Sequence, residues 1–108
     1  VEAQPDSDPS WFGFLMTLTD KAKFTRNDIV EFLENNNIQT RNLFAGNILR
    51  HPIFDYLKED IDYRIIGDLK NTDKIMNDSF WIGVYPGMGD DKINYMIKRI
   101  KEAIKNAK

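Results

Sequence analysis

The chain has 108 residues, 42% of them apolar and 12% aromatic, which suffices for one hydrophobic core, is too little for two independent domains and is unlike a disordered chain. Lys plus Arg number 15 against 17 Asp plus Glu, a net charge of −2, so overall charge lends no support to nucleic-acid or anionic-membrane binding. With no Cys and one His, this chain can build no disulfide, cysteine nucleophile, iron–sulfur site or histidine metal cluster.

Residues 1–10 (VEAQPDSDPS) hold two Pro and three acids and read as a lead-in or linker; residues 11–108 read as a single small domain. The start at Val1, without Met, suggests a processed or engineered piece. Asp6 and Asp8 read as solvated turn acids, because no calcium-loop spacing accompanies them. Residues 11–18 (WFGFLMTL) form a nearly continuous apolar run of strand length, which predicts a strand buried on both faces. Gly13 inside it marks a bulge or a close backbone approach. Thr25 followed by Asp28 is a variant capping box, and Phe24 with Ile29 stands where a hydrophobic staple closes. Ile29, Val30, Phe32 and Leu33 then predict one apolar helix face, and Asn35, Asn36 and Asn37 can end that helix in left-handed geometry.

Residues 38–44 predict a second strand, leading into a loop at Ala45, Gly46 and Asn47. Pro52 can open a short helical turn reaching Leu57, and residues 61–66 are a weaker strand candidate. Asn71 or Thr72 caps a short helix ending at Asp78. Residues 80–85 (FWIGVY) predict another strand, stopped by Pro86 and Gly87. The last helix carries Ile93, Met96, Ile97, Ile100, Ile104 and Ala107 at helical spacing, with Asp90 and Asp91 at its positive end. Its other face holds Lys92, Lys98, Arg99, Lys101, Lys105 and Lys108 and reads as solvated. One core is expected from Trp11, Phe14, Phe80, Ile82 and the last helix, Ile97 included. The element order implies an α/β fold, an α+β sandwich with a small mixed sheet and helices mainly on one face.

The chemistry on offer is sparse. Gly87-Met88-Gly89 is too short for a phosphate loop. His51 beside Pro52 reads as a helix-entry or surface residue, and Tyr56, Tyr63, Tyr85 and Tyr95 as packing residues with one wet end. No metal site is expected. Residues 11–14 could suggest stacking on single-stranded nucleic acid, but the acidic balance and the absence of an interleaved basic sheet motif oppose it. No apolar run reaches the roughly 18 residues of a membrane span, and no signal-peptide pattern opens the chain. No nucleic-acid or membrane partner is therefore expected, and a cytoplasmic location is. One segment stands out, residues 40–47 (TRNLFAGN) with Arg50 close behind. Two guanidinium groups, two amides and a close-approach glycine at a strand end could bind a phosphate or sugar. An ordinary surface loop with salt bridges is the plainer alternative.

The stretches TRNLFAGNILRHP (residues 40–52) and NTDKIMNDSFWIGVYPG (residues 71–87) resemble the C-terminal region of the DegT/DnrJ/StrS nucleotide-sugar enzymes. Within that family they are most similar to the CDP-4-keto-6-deoxyglucose 3-dehydratase branch of lipopolysaccharide O-antigen synthesis, and SWFGFLMTL (residues 10–18) fits the same branch. The resemblance implies a fold type I pyridoxal-phosphate enzyme, homodimeric and similar to aspartate aminotransferase, of which this chain is the small C-terminal domain. It implies a nucleotide-sugar substrate, and pyridoxal or pyridoxamine phosphate held by a large domain outside this chain, together with the reactive lysine or histidine. The isolated chain is then expected to hold no cofactor and no catalytic residue. Its part would be one wall of the parent's cleft, packed against its own large domain and homodimer partner. The resemblance supplies the loop, and side-chain chemistry supplies candidates for substrate binding within it. Arg41 and Asn47 lead, followed by Gly46, Phe44 and Arg50. Asn47 can donate to and accept from a sugar hydroxyl, and Arg41 or Arg50 can offer a planar fork to a phosphate. Gly46 permits close backbone approach, and Phe44 could pack on a base or sugar face or in the core. A sugar aminotransferase is the alternative within the family; a free-standing, non-catalytic binding module is the alternative outside it.

Overall fold

The computed structural model describes residues 2–106. Its elements follow the order β1 (Gly13–Thr17), α1 (Arg26–Asn35), β2 (Thr40–Asn42), α2 (Lys70–Asp78), β3 (Ser79–Gly83) and α3 (Asp90–Asn106), with short 3₁₀ turns at Ile48–Arg50 and Pro52–Tyr56. The strands are ordered β1-β3-β2, and both pairings are antiparallel. The α/β class expected from the sequence holds, while the expected mixed pairing does not. Helix α1 does connect two strands that run the same way, β1 and β2, but β3 is inserted between them, so no parallel ladder forms.

Local chemistry builds α1. The Thr25 hydroxyl accepts from Asp28 N at 3.3 Å while Asp28 Oδ2 accepts from Thr25 N at 2.7 Å, so the capping box satisfies donors at both residues. These bonds hold the Asp28 carboxyl below its ordinary pKa. Asn37, at φ 59, ends the helix in left-handed geometry. Glu34 Oε1 then accepts both Thr40 N at 2.5 Å and Thr40 Oγ1 at 2.6 Å, joining the end of α1 to the start of β2.

Alternation along β3 sends Phe80 and Ile82 to one face. There they are buried with Ile29 and Leu33 of α1, Ile38, and Ala103 of α3. Phe24 packs against this cluster beside Met96 and Ile100, as a staple residue should.

Several expectations change. Trp11 and Phe14 are exposed rather than core residues: α1 packs on β2, β3 and α3, leaving β1 as a marginal strand and not a doubly buried one. On α3 the line entering the core is Met96, Ile100 and Ala103, and Ile97 is 44% exposed, with Ile93 and Ile104 also exposed. Residues 96, 100 and 103 follow i, i+4, i+7 spacing and share one face, which leaves Ile93, Ile97 and Ile104 on the flank; Ala107 lies outside the described residues. Arg99 leaves the solvated face, lying 5.0 Å over the Tyr95 ring and pairing with Glu102 at 2.7 Å. Residues 61–66 form no strand, because turns capture the segment: Lys58 N donates to Asp62 Oδ2 at 2.9 Å and Asp60, at φ 66, donates N–H to Tyr63 O at 2.7 Å. Tyr56 projects into solvent instead of packing. Neither Asn71 nor Thr72 caps α2; Leu69 does, at φ 51, without a side-chain cap. β2 is shorter than expected, since Ile38 turns into the core and Phe44 takes φ 33.

The chain exposes 8739 Å², against about 6,200 Å² for a compact monomer of this mass. Its radius of gyration is 17.2 Å, against about 13 Å for a compact domain of this length. Much of its apolar surface is therefore uncovered.

Leu33 is fully buried, so Leu33→Ala is expected to destabilise the chain by about 2–5 kcal/mol. Ile97→Ala, at an exposed flank, should lose less than about 1 kcal/mol. Urea unfolding of the two variants checks the placement of α3, and equal losses would contradict it.

Candidate functional site

The segment singled out in the sequence begins on β2. Arg41 pairs in register with Trp81 of β3, which pairs on its other side with Leu15 of β1. These three residues form a row on the sheet face opposite Phe80 and Ile82. The indole of Trp81 leans toward β1: a Cβ at Gly13 would lie 3.0 Å from Trp81 Cζ3 and nearer still to Cε3. Gly13 is thus the close approach expected from the sequence. Phe12 meets the same indole edge-on, with ring centroids 5.1 Å apart.

Two hollows flank Trp81. The first, of about 690 Å³, is lined by Arg41, Gln39, Tyr85, Lys92 and Tyr95 among others. Arg41 is exposed there and, among the described residues, has no ion-pair or side-chain hydrogen-bond partner. Lys92 Nζ donates to Tyr85 Oη at 2.9 Å, which raises the lysine's pKa. The second hollow, of about 510 Å³, is an apolar trough lined by Trp11, Phe12, Phe14, Leu43 and Phe44 as well as Trp81. Phe44 is 89% exposed at its rim, and its positive φ is uncommon for a bulky residue.

Gly46, Asn47 and Arg50 are brought together elsewhere, against α2. Gly46 has φ +64, and a Cβ there would lie 2.6 Å from Met76 Cβ, so glycine is required on two counts. Asn47 is 2% exposed. Its Nδ2 donates to Asp73 Oδ1 at 2.7 Å, its Oδ1 accepts from Leu49 N at 3.1 Å, and its backbone N–H donates to Met76 Sδ at 3.2 Å. Arg50 clasps the same carboxylate, Nε to Oδ1 at 3.2 Å and Nη2 to Oδ2 at 2.7 Å. His51 serves as the entry residue of the following turn and bonds Ala45 O through Nε2 at 2.7 Å. The five candidates therefore divide: Arg41 and Phe44 face open hollows, Gly46 and Asn47 are packed against α2, and Arg50 is exposed but ion-paired to Asp73.

Sequence reasoning missed Asp73 and Met76. Their i, i+3 spacing puts both on one face of α2, but carries no mark of the loop they hold.

Among the described residues no group of His, Asp or Glu could hold a metal ion, and no helix is long and apolar enough to cross a membrane. The lysines do not fit a Schiff-base site for pyridoxal phosphate, which calls for a lowered amine pKa. Lys74 sits between Asp20 at 2.5 Å and Asp78 at 2.9 Å with its pKa raised, Lys92 is also raised, and the other described lysines are exposed. No step through that group can be built on these residues.

The Arg50 fork, and then Asn47, hold the Asp73 carboxyl at about 2 against its ordinary 3.8. A carboxyl depressed by folding contributes stability fully above its unfolded value, and loses it as pH falls through the folded one. Asp73→Asn is thus expected to melt below the wild type at neutral pH, with the gap closing between about pH 4 and pH 2. Thermal melts at fixed ionic strength read this; a gap independent of pH would contradict the pairing.

Residues 1–101 match the family model described as the DegT/DnrJ/EryC1/StrS aminotransferase family. The chain is 50% identical over 102 residues to the dTDP-4-dehydro-2,6-dideoxy-D-glucose 3-dehydratase of Saccharopolyspora spinosa, covering 94% of this chain and 21% of that protein. It is 46% identical over 101 residues to the lipopolysaccharide biosynthesis protein RfbH of Salmonella typhimurium, covering 94% and 22%. A GDP-4-keto-6-deoxy-D-mannose 3-dehydratase of Yersinia pseudotuberculosis is 30% identical over 80 residues, covering 74% and 20%. The chain spans about a fifth of the length of these curated relatives. With the match running through the strands and the TRNLFAGN loop alike, the chain belongs to the DegT/DnrJ/EryC1/StrS aminotransferase family.

Proposed function

We propose that this chain is the C-terminal small domain of a nucleotide-sugar 3-dehydratase of lipopolysaccharide O-antigen deoxysugar biosynthesis, working in the cytoplasm. The observation that carries the reading is 50% identity, across 94% of this chain, to a protein named as a sugar 3-dehydratase. The Salmonella relative's name supplies the lipopolysaccharide context. The two dehydratase relatives are named for different nucleotides, dTDP or GDP, and for a shared 4-keto (4-dehydro) sugar lacking its 6-hydroxyl. A site serving such substrates needs an anion contact for the diphosphate and apolar contact for the deoxy sugar.

Arg41 supplies the first, as a guanidinium without an ion-pair partner among the described residues, whose planar fork matches phosphate oxygens. Phe44 and Trp81 supply the second, and Gly46 keeps the loop backbone close to its support. Together they orient the substrate and exclude water from one side of the cleft. Loss of the C3 hydroxyl is carried out against groups of the parent's large domain; pyridoxal or pyridoxamine phosphate, when bound there, supplies the electron sink. The large domain and the homodimer partner cover Trp11, Phe12 and Phe14, leaving Phe44 and Trp81 to the substrate, which accords with the excess exposed surface of this chain. Transamination is the second reading, favoured by the family's description as aminotransferases.

The full-length enzyme, given a nucleotide-linked 4-keto-6-deoxyhexose with and without an amino donor, separates the two by mass spectrometry. Loss of one water without a donor supports dehydration, and donor-dependent nitrogen transfer supports the second reading. Arg41→Lys is expected to lower kcat/KM about tenfold, roughly 1.4 kcal/mol of transition-state binding, with thermal stability unchanged. The 108-residue chain alone, mixed with pyridoxal phosphate and reduced with borohydride, should give no stoichiometric adduct at a single lysine. Such an adduct would overturn the domain assignment.

A further inference from the structure

Residues 43–47 belong to no helix or strand, yet they carry Phe44 at φ 33 with its ring in solvent. A bulky side chain keeps such a backbone only where its surroundings impose it. The Phe44 N–H donates to Asn42 O at 2.9 Å, and the far end of the loop is held by two side chains of α2, three residues apart on one face. Met76 closes on Gly46 and accepts the Asn47 N–H at 3.2 Å. Asp73 gathers three donors from both ends of the turn. Its Oδ1 accepts Asn47 Nδ2 at 2.7 Å and Arg50 Nε at 3.2 Å, and its Oδ2 accepts Arg50 Nη2 at 2.7 Å. Asn47 passes the constraint on by accepting from Leu49 N at 3.1 Å. Its side-chain amide is thereby engaged at both ends and buried, and the flat edge of Arg50 is turned to Asp73.

We infer that Asp73 is a positioning residue for the nucleotide-sugar site: through Asn47 and Arg50 it fixes the end of the loop that carries Phe44 away from β2, and it touches no ligand itself. The inference rests on the proposed function and deepens it, by assigning Asn47 and Arg50 to the lock and ligand contact to Arg41 and Phe44.

Steady-state kinetics of the full-length enzyme on a nucleotide-linked 4-keto-6-deoxyhexose test it, with melting temperatures measured in parallel. Asp73→Ala is expected to raise KM about tenfold while kcat changes less than about threefold, in a protein still folded at the assay temperature. Asp73→Asn keeps an acceptor for Asn47 but gives Arg50 no charge, so its KM should fall between those of Asp73→Ala and the wild type. The double variant Asp73→Ala/Asn47→Ala should be no worse in KM than Asp73→Ala, since both act through one loop. An unchanged KM in Asp73→Ala, or fully additive effects in the double variant, overturns the inference. If Asp73→Ala does not fold, the isosteric Asp73→Asn decides, and a wild-type KM there overturns it. An active wild type whose KM ignores Asp73 sinks this role alone. A wild type without 3-dehydratase activity sinks the functional reading, and the positioning role with it.

Discussion

Strand β3 has a neighbour on each side, and its two faces cannot be altered independently. Phe80 and Ile82 fill the core beneath α1 and α3, while Trp81 between them faces the other way, beside Leu15 and Arg41. A slip of one residue would drive the indole into the core and expel the phenyl ring. Ser79 pins the register at the start of the strand, buried and bonded to Thr17 across the ladder at 2.8 Å. Arg26 Nη1 reaches Ser79 O at 3.5 Å from the first turn of α1. The position of Arg41 beside Trp81 is thus a consequence of core packing. The site inherits its geometry from the side of the sheet it does not touch.

Elements whose signals are local were legible in the sequence. Thr25 and Asp28 cap α1, Asn37 ends it, and the extent of α3 follows from an unbroken helical period. What needed neighbours was not legible. The apolar residues of α3 cover more of its circumference than one contact can bury, and the helical period alone does not say whether the line through 96, 100 and 103 or the line through 93, 97 and 104 enters the core. Residues 61–66 have strand-like composition, yet the Asp62 carboxylate accepts from Lys58 N and the Asp60 N–H donates to Tyr63 O, turn bonds that no sheet edge outbids. The site was readable as a loop of particular residue types, and Arg41 and Phe44 do face open hollows. The partners of Asn47 and Arg50 were not readable. Asp73 lies far along the chain, one acid among 17, and nothing in its immediate sequence distinguishes a carboxylate that clasps a distant loop from one that merely begins a helix.

The uneven coverage of the sheet divides the molecule. One face is sealed by α1 and α3 and supplies the fold's cohesion. The other carries aromatic and cationic side chains with few internal contacts, so substitutions there act on what meets the chain more than on its own stability. Loop residues 43–51 belong to the open side but draw their rigidity from α2. This is how a segment outside any strand or α-helix can hold the exposed Phe44 just beyond the end of β2.

The trough beside Trp81 has one further consequence. The chain contains two tryptophans, and both Trp11 and Trp81 line that trough, while the buried core holds none. Indole fluorescence therefore reports on the uncovered face. Its emission responds to whatever seals the trough, independently of the amide circular dichroism that follows the three helices. The chain thus carries its own optical signal for the covering of that face.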